Sequence, residues 1–66
     1  MTAYILEVET LSGGWSPHAA HHTTPLDILQ RAQRIADRDS VVVRIVDADT
    51  LIIIRVVRPR GWRRGG

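Results

Sequence analysis

The chain ends in two glycines, Gly65 and Gly66, which follow a basic segment. Because glycine has no Cβ, two consecutive glycines can enter a narrow channel on another protein and present the terminal carboxylate for activation. The sequence therefore predicts a flexible basic tail over residues 58–66 whose end can be conjugated; the alternative is an ordinary frayed terminus. The tail side chains expected to contact a partner are Arg58, Arg60, Trp62, Arg63 and Arg64.

The net charge of +2 is divided unevenly along the chain. Residues 1–54 contain four arginines and seven acidic residues, whereas residues 55–66 contain five arginines and no acid. The basic end could bind phosphate groups or an acidic groove on a protein, and charge alone does not distinguish these partners.

Length and composition limit the classes of protein to consider. A chain of 66 residues makes one domain, and a domain of this size buries only about 60% of the surface of its unfolded chain. The absence of cysteine excludes a disulfide scaffold, a thiolate metal site and a cysteine nucleophile. No apolar run approaches the roughly 20 residues of a membrane helix, and the N-terminus lacks a signal-peptide pattern. We expect a cytoplasmic globular domain over residues 1–57 that contacts no membrane.

A β-hairpin is predicted at the start of the chain. Residues 3–9 have the period-two alternation of a half-buried strand. A two-residue turn at the glycines 13–14 would pair Leu6 with His21. The following segment, residues 15–22, contains a proline that cannot donate a backbone hydrogen bond, so we expect an edge strand or loosely paired backbone.

A helix is predicted to begin after Thr24. Thr24, Pro25 and Asp27 supply a capping hydroxyl, a proline in the first turn and an acid three residues beyond the cap. One face of the helix is apolar and the opposite face is basic. Because Asp27 lies one turn before Arg31, we interpret the basic face as an ordinary solvated face. The apolar face holds Ile28, Leu29, Ala32, Ile35 and Ala36, and the basic face holds Arg31, Arg34 and Arg38.

Two apolar segments, residues 41–46 and 50–57, predict a second hairpin. A two-residue loop at 48–49 would put an entirely apolar set on one face, namely Val41, Val43, Ile45, Ile52, Ile54 and Val56. The opposite face is too apolar for simple exposure, which indicates a buried second face, a recognition patch for another protein, or scattered surface aliphatics. Its members are Val42, Arg44, Val46, Leu51, Ile53, Arg55 and Val57.

The predicted order is ββαββ, an α+β fold with one helix packed on a four-stranded sheet. With the small size, the arginines after the last strand and the terminal Arg64-Gly65-Gly66, this order resembles the ubiquitin-like β-grasp family. Ubiquitin ends in Leu-Arg-Leu-Arg-Gly-Gly after an aliphatic strand, and Leu51–Val57 and Arg58–Gly66 take those places here. The resemblance implies a protein modifier or sulfur carrier.

That role would need no cofactor and no catalytic residue in this chain. An E1-like activating enzyme would adenylate the Gly66 carboxylate with ATP, and a cysteine of a partner would then form a thioester. The tail arginines would guide the end of the chain into an acidic groove. Since the chain has no lysine, copies could be linked only through the Met1 amine or a hydroxyl.

Sheet order would test the resemblance. A parallel contact between residues 4–8 and 51–57 would support a β-grasp. The same element order can also assemble an antiparallel sheet through dimerisation.

Other polar residues give weaker signals. His18, His21 and His22 are the candidate metal ligands, but in an extended strand His21 points away from the other two, and we expect no metal site. Glu7 and Glu9 are interpreted as solvent-facing charges on the outer face of the sheet.

Two alternative functions remain open. A small nucleic-acid-binding module of phage or actinobacterial type could stack Trp62 on a base while the neighbouring arginines contact phosphates; the negative charge of residues 1–54 argues against it. A protein-interaction module could instead dimerise through the face that holds Val42, Ile53 and Val57.

Overall fold

The computed structural model describes residues 1–61, which form four strands and one helix. The elements are β1 (Thr2–Glu9), β2 (Trp15–Thr23), α1 (Pro25–Asp39), β3 (Val43–Asp47) and β4 (Ile53–Val57). The helix packs on one face of a single four-stranded sheet. The predicted α+β fold with ββαββ order is confirmed.

The sheet is antiparallel throughout, in the order β2-β1-β3-β4. Strand β1 lies between β2 and β3, so β1 and β4 are not neighbours. The parallel contact between residues 4–8 and 51–57 is therefore absent from the described sheet, and the sheet order does not support the β-grasp resemblance. Dimerisation is not needed to complete the antiparallel sheet, because β3 of the same chain pairs with β1.

The helix begins where its local sequence predicts, and its end is capped by Ser40. The Thr24 side chain accepts a hydrogen bond from the Asp27 backbone N–H at 3.2 Å, which caps the first turn. At the other end, Ser40 adopts the left-handed conformation with φ 54° and donates its backbone N–H to the Ala36 carbonyl. Ala32 and Ala36 are fully buried, and these small side chains let α1 approach the sheet closely. Of the predicted apolar face, Ile28, Ala32, Ile35 and Ala36 are buried and Leu29 is partly buried.

The first hairpin has a longer turn and a bulge that the sequence did not reveal. The turn spans residues 10–14, with the Thr10 N–H donating to the Gly14 carbonyl and Gly13 at φ 88°. Leu6 pairs with Ala19, not with His21 as predicted, and the register shifts after Leu6 so that His18 is an extra residue. Strand β2 is an edge strand, as its proline predicts.

The second hairpin also differs from its predicted register. Residues 48–52 connect the strands, with Leu51 in the left-handed region at φ 62°, and the two-residue loop at 48–49 is not formed. Val43 pairs with Val57, and a bulge leaves Ile54 as an extra residue. The core therefore contains Val57 and not Val56, which reverses the predicted faces at this end of β4.

Candidate functional site

A row of aliphatic side chains crosses the sheet on the face opposite α1. The strand registers place Ala20 beside Ile5, Ile5 beside Val46, and Val46 beside Ile53. We call these four residues the outer row. Val46 is shielded by its neighbours, whereas Ile53 at the edge of the sheet is 48% exposed. Ala20, at the β2 end of the outer row, is also exposed, so Ile53 is the large aliphatic side chain of the row that is open to solvent.

Arg44 links three strands beside the outer row. It lies directly opposite Glu7 in the β1–β3 register, and its Nε donates to Glu7 Oε1 at 2.5 Å. Its guanidinium carbon lies 4.4 Å from the centre of the Trp15 ring, within the range of a cation–π contact. The Glu7 and Arg44 side chains are only 19% and 24% exposed. Glu7 was predicted to face solvent, and that prediction is wrong because Arg44 pairs with it and screens it.

Strand β4 forms the second edge of the sheet and is unusually apolar for such a position. Ile53, Ile54 and Val56 are between 39% and 55% exposed. The residues before the strand, Leu51 and Ile52, are also exposed. Within the described residues β4 pairs only with β3, so its other side presents unpaired backbone groups to solvent.

A groove between α1 and β4 continues this apolar surface on the helix side. Leu26 and Leu29 of α1 form one wall, Ile54 and Arg55 of β4 form the other, and the space is about 260 Å³. Ile54 reaches this groove because the bulge removes it from regular pairing. The sequence did not indicate this groove, since the bulge leaves no clear signal in the hydrophobic pattern.

The predicted partner-binding residues of the second hairpin separate in the structure. Arg44 and Ile53 lie on the outer face as expected, and Val42 is half-buried immediately before β3. Two of these residues lie on the opposite face of the sheet from the one predicted. Val57 is buried in the core, and Arg55 pairs with the core residue Ile45 and lines the helix-side groove, because the longer turn and the bulge shift the register. Leu51 is exposed in the turn.

The first residues of the predicted tail are attached to α1. Gln33 donates its Nε2 to the Arg58 carbonyl at 2.8 Å, and Pro59 is buried. The Asp37 carboxylate accepts from the Arg60 backbone N–H at 2.7 Å and from its Nε at 2.9 Å. The Arg60 backbone N–H, followed by its guanidinium, lowers the pKa of Asp37. Arg60, predicted to guide the tail to a partner, therefore pairs with Asp37 of its own domain.

The remaining candidate tail residues lie outside the described part of the chain. These are Trp62, Arg63, Arg64, Gly65 and Gly66. Their roles in conjugation or nucleic-acid binding stay predictions.

The histidines are arranged differently from the prediction. The bulge at His18 brings His18 and His21 to one cleft beside α1, whereas His22 does not line it. Within residues 1–61, no group of three or more histidines and acids is placed to hold a metal ion. Within the same range, no helix has the length and apolar composition of a membrane span.

Comparison with known proteins gives no relative: no family model, curated protein or solved structure matches this chain.

Proposed function

We propose that this chain is a protein-interaction module that pairs with a second copy of itself through strand β4. The observation that carries the proposal is the exposed aliphatic edge formed by Ile53, Ile54 and Val56. The N–H and C=O groups along an uncovered edge strand accept a further strand, and proteins usually protect such edges.

The two edges of the sheet differ in this protection. Strand β2 contains Pro17 and a bulge at His18, and both features hinder the addition of another strand. Strand β4 has no proline, and its one charged residue is Arg55. Pairing of β4 with β4 about a two-fold axis would leave the protected β2 strands at the outside, which closes the assembly at two copies.

Side chains on both faces of β4 would gain contacts in such a dimer. Ile53 and Val56 would extend the apolar surface of the outer face, and Ile54 would contact the partner from the helix side. Burial of each half-exposed isoleucine contributes about 1 kcal/mol, so the two copies together gain several kcal/mol. A domain of this size has a small core, and association is a common way to stabilise it.

Sedimentation velocity over a range of concentrations tests the proposal. We expect the native chain to reach twice its monomer mass of 7.4 kDa. Val56→Lys should remain monomeric, because it places a charge on the exposed side of β4 without changing the core. Leu11→Lys is the matched control, since Leu11 is fully exposed in the first turn and away from β4. A native chain that is monomeric throughout, or an equal effect of both variants, would contradict the proposal.

The modifier hypothesis depends on a different part of the chain, the two C-terminal glycines. A modifier needs Gly65 and Gly66 for its thioester, whereas pairing through β4 does not involve them. The sheet order gives the modifier hypothesis less support, because β1 and β4 are not neighbours. A chain without Gly65 and Gly66 should dimerise as the native chain does. Loss of dimerisation in that truncated chain would contradict pairing through β4.

A further inference from the structure

A basic cleft lies between β2 and α1, on the other side of the molecule from the β4 edge. Strand β2 contributes His18 and His21, and the helix contributes Arg31, Arg34 and Arg38. The cleft encloses about 300 Å³ and has Ala19 and Ile35 among its lining residues. The groups that carry or can acquire positive charge thus come from two elements and line one cleft.

The bulge in β2 and the spacing of the helix produce this arrangement. Regular alternation would send His18 and His21 to opposite faces of the sheet, but the extra residue at the bulge brings both to the helix side. Arg31, Arg34 and Arg38 follow the i, i+3, i+7 spacing that puts side chains on one helix face, and they span about 10 Å along the axis. The two histidines of β2 and the three arginines of α1 therefore line the same cleft.

Carboxylates neutralise two of the three arginines. Arg31 pairs with Asp27 at 2.7 Å, and Arg38 pairs with Asp39 at 3.0 Å. The hydrogen bonds from Arg31 and then Thr23 lower the pKa of Asp27, and the hydrogen bond from Arg38 lowers the pKa of Asp39. Because Arg31 and Arg38 are seven residues apart on α1, the two ion pairs lie at different positions along the cleft.

Arg34 lies between those two pairs on the helix. Within residues 1–61, its guanidinium forms no hydrogen bond or ion pair with another side chain. The Arg34 side chain is exposed, so it can meet a ligand without rearrangement of the core. Among residues 1–61, therefore, Arg34 is a bidentate donor without a side-chain partner, between two arginines that are paired with carboxylates.

We propose that this cleft binds a phosphate-bearing anion, with Arg34 as the central donor and the histidines on the opposite wall. A guanidinium presents two parallel N–H donors that match two oxygens of a phosphate. Arg34, the two imidazoles, and the N–H groups of Arg31 and Arg38 beyond those paired with Asp27 and Asp39 together offer more donors than one carboxylate can accept, which favours a phosphate or diphosphate. The proposal is independent of dimerisation, because none of its residues belongs to β4.

A titration with inorganic pyrophosphate at constant ionic strength tests the site by NMR. We expect the imidazole signals of His18 and His21 to shift while those of His22, outside the cleft, do not. Arg34→Gln should weaken binding by about tenfold or more, the loss expected when a hydrogen bond to a charged group is removed. Arg55→Gln is the matched control, since it removes the same charge from β4, and its affinity should stay within about twofold of the native value.

The source of the phosphate is resolved by a second titration with adenosine diphosphate. Equal affinities for the two ligands would assign recognition to the phosphates alone, and tighter binding of the nucleotide would add a contact to the nucleoside; either result supports the site. No shift of the His18 and His21 signals with either ligand would overturn the proposal. So would an equal loss of affinity in Arg34→Gln and Arg55→Gln, because binding would then depend only on net charge.

Discussion

Val43 and Val57 lie opposite each other where β3 pairs with β4, and both side chains are buried in the core with α1. Val57 is 4% exposed, whereas its neighbour Val56 pairs with Arg44 on the outer face and is 39% exposed. This register decides which aliphatic residues of β4 stabilise the domain and which are available to a partner.

The two valines should therefore respond differently to truncation. Val57→Ala should lower the free energy of unfolding by about 2 kcal/mol, because it removes buried methyl groups and leaves a cavity. Val56→Ala should cost less than about 0.5 kcal/mol in the monomer, as is usual for exposed positions. Urea unfolding at a concentration below dimerisation measures both. A larger loss of stability in Val56→Ala than in Val57→Ala would contradict the observed register and support the one predicted from the sequence.

Local sequence signals predicted the start of the helix, but the strand registers depend on turn conformations and bulges that individual residues do not indicate. Thr24, Pro25 and Asp27 define the start of α1 through contacts within one turn. The register of β4 depends on Leu51 adopting a left-handed conformation, for which leucine gives no sequence signal. The bulge at His18 likewise has no clear sequence signal, and it determines which histidines line the basic cleft. The ββαββ order was therefore predictable, whereas the composition of each surface was not.

The contact of Arg44 with Glu7 and Trp15 joins residues far apart in sequence, and it makes a testable contribution to stability. A double-mutant cycle of Glu7→Gln and Arg44→Gln should give a coupling energy of about 1 kcal/mol, at the upper end for ion pairs because both side chains are largely screened from water. Chemical unfolding at low and high salt measures it. The pair Arg38 and Asp39, more exposed on α1, is the control and should give less. Equal coupling energies would contradict the screening of Arg44.

The left-handed residue after α1 offers a stabilising substitution. Ser40 has φ 54° at the end of the helix, a conformation that costs a side-chain-bearing residue more than glycine. Ser40→Gly should raise the free energy of unfolding by about 0.5–1 kcal/mol, measured by thermal unfolding. Gly13→Ala is the converse control: Gly13 has φ 88° with open space around it, so any loss of stability comes from the backbone alone. Destabilisation by Ser40→Gly would show that another contact of Ser40 outweighs the backbone effect.

The attachment of residues 58–60 to α1 should depend on pH through Asp37. Its folded-state pKa is lowered, first by the Arg60 backbone N–H and then by the Arg60 guanidinium. Because the folded-state pKa lies below the ordinary carboxyl value of 3.8, the stabilisation is fully present above that value and is lost as the pH falls through the lowered folded-state pKa. The Arg60 amide signal, followed by NMR from pH 7 to about pH 2, should move upfield as the hydrogen bond is lost. In Asp37→Asn this transition should be absent, and its persistence there would assign the attachment to another acid.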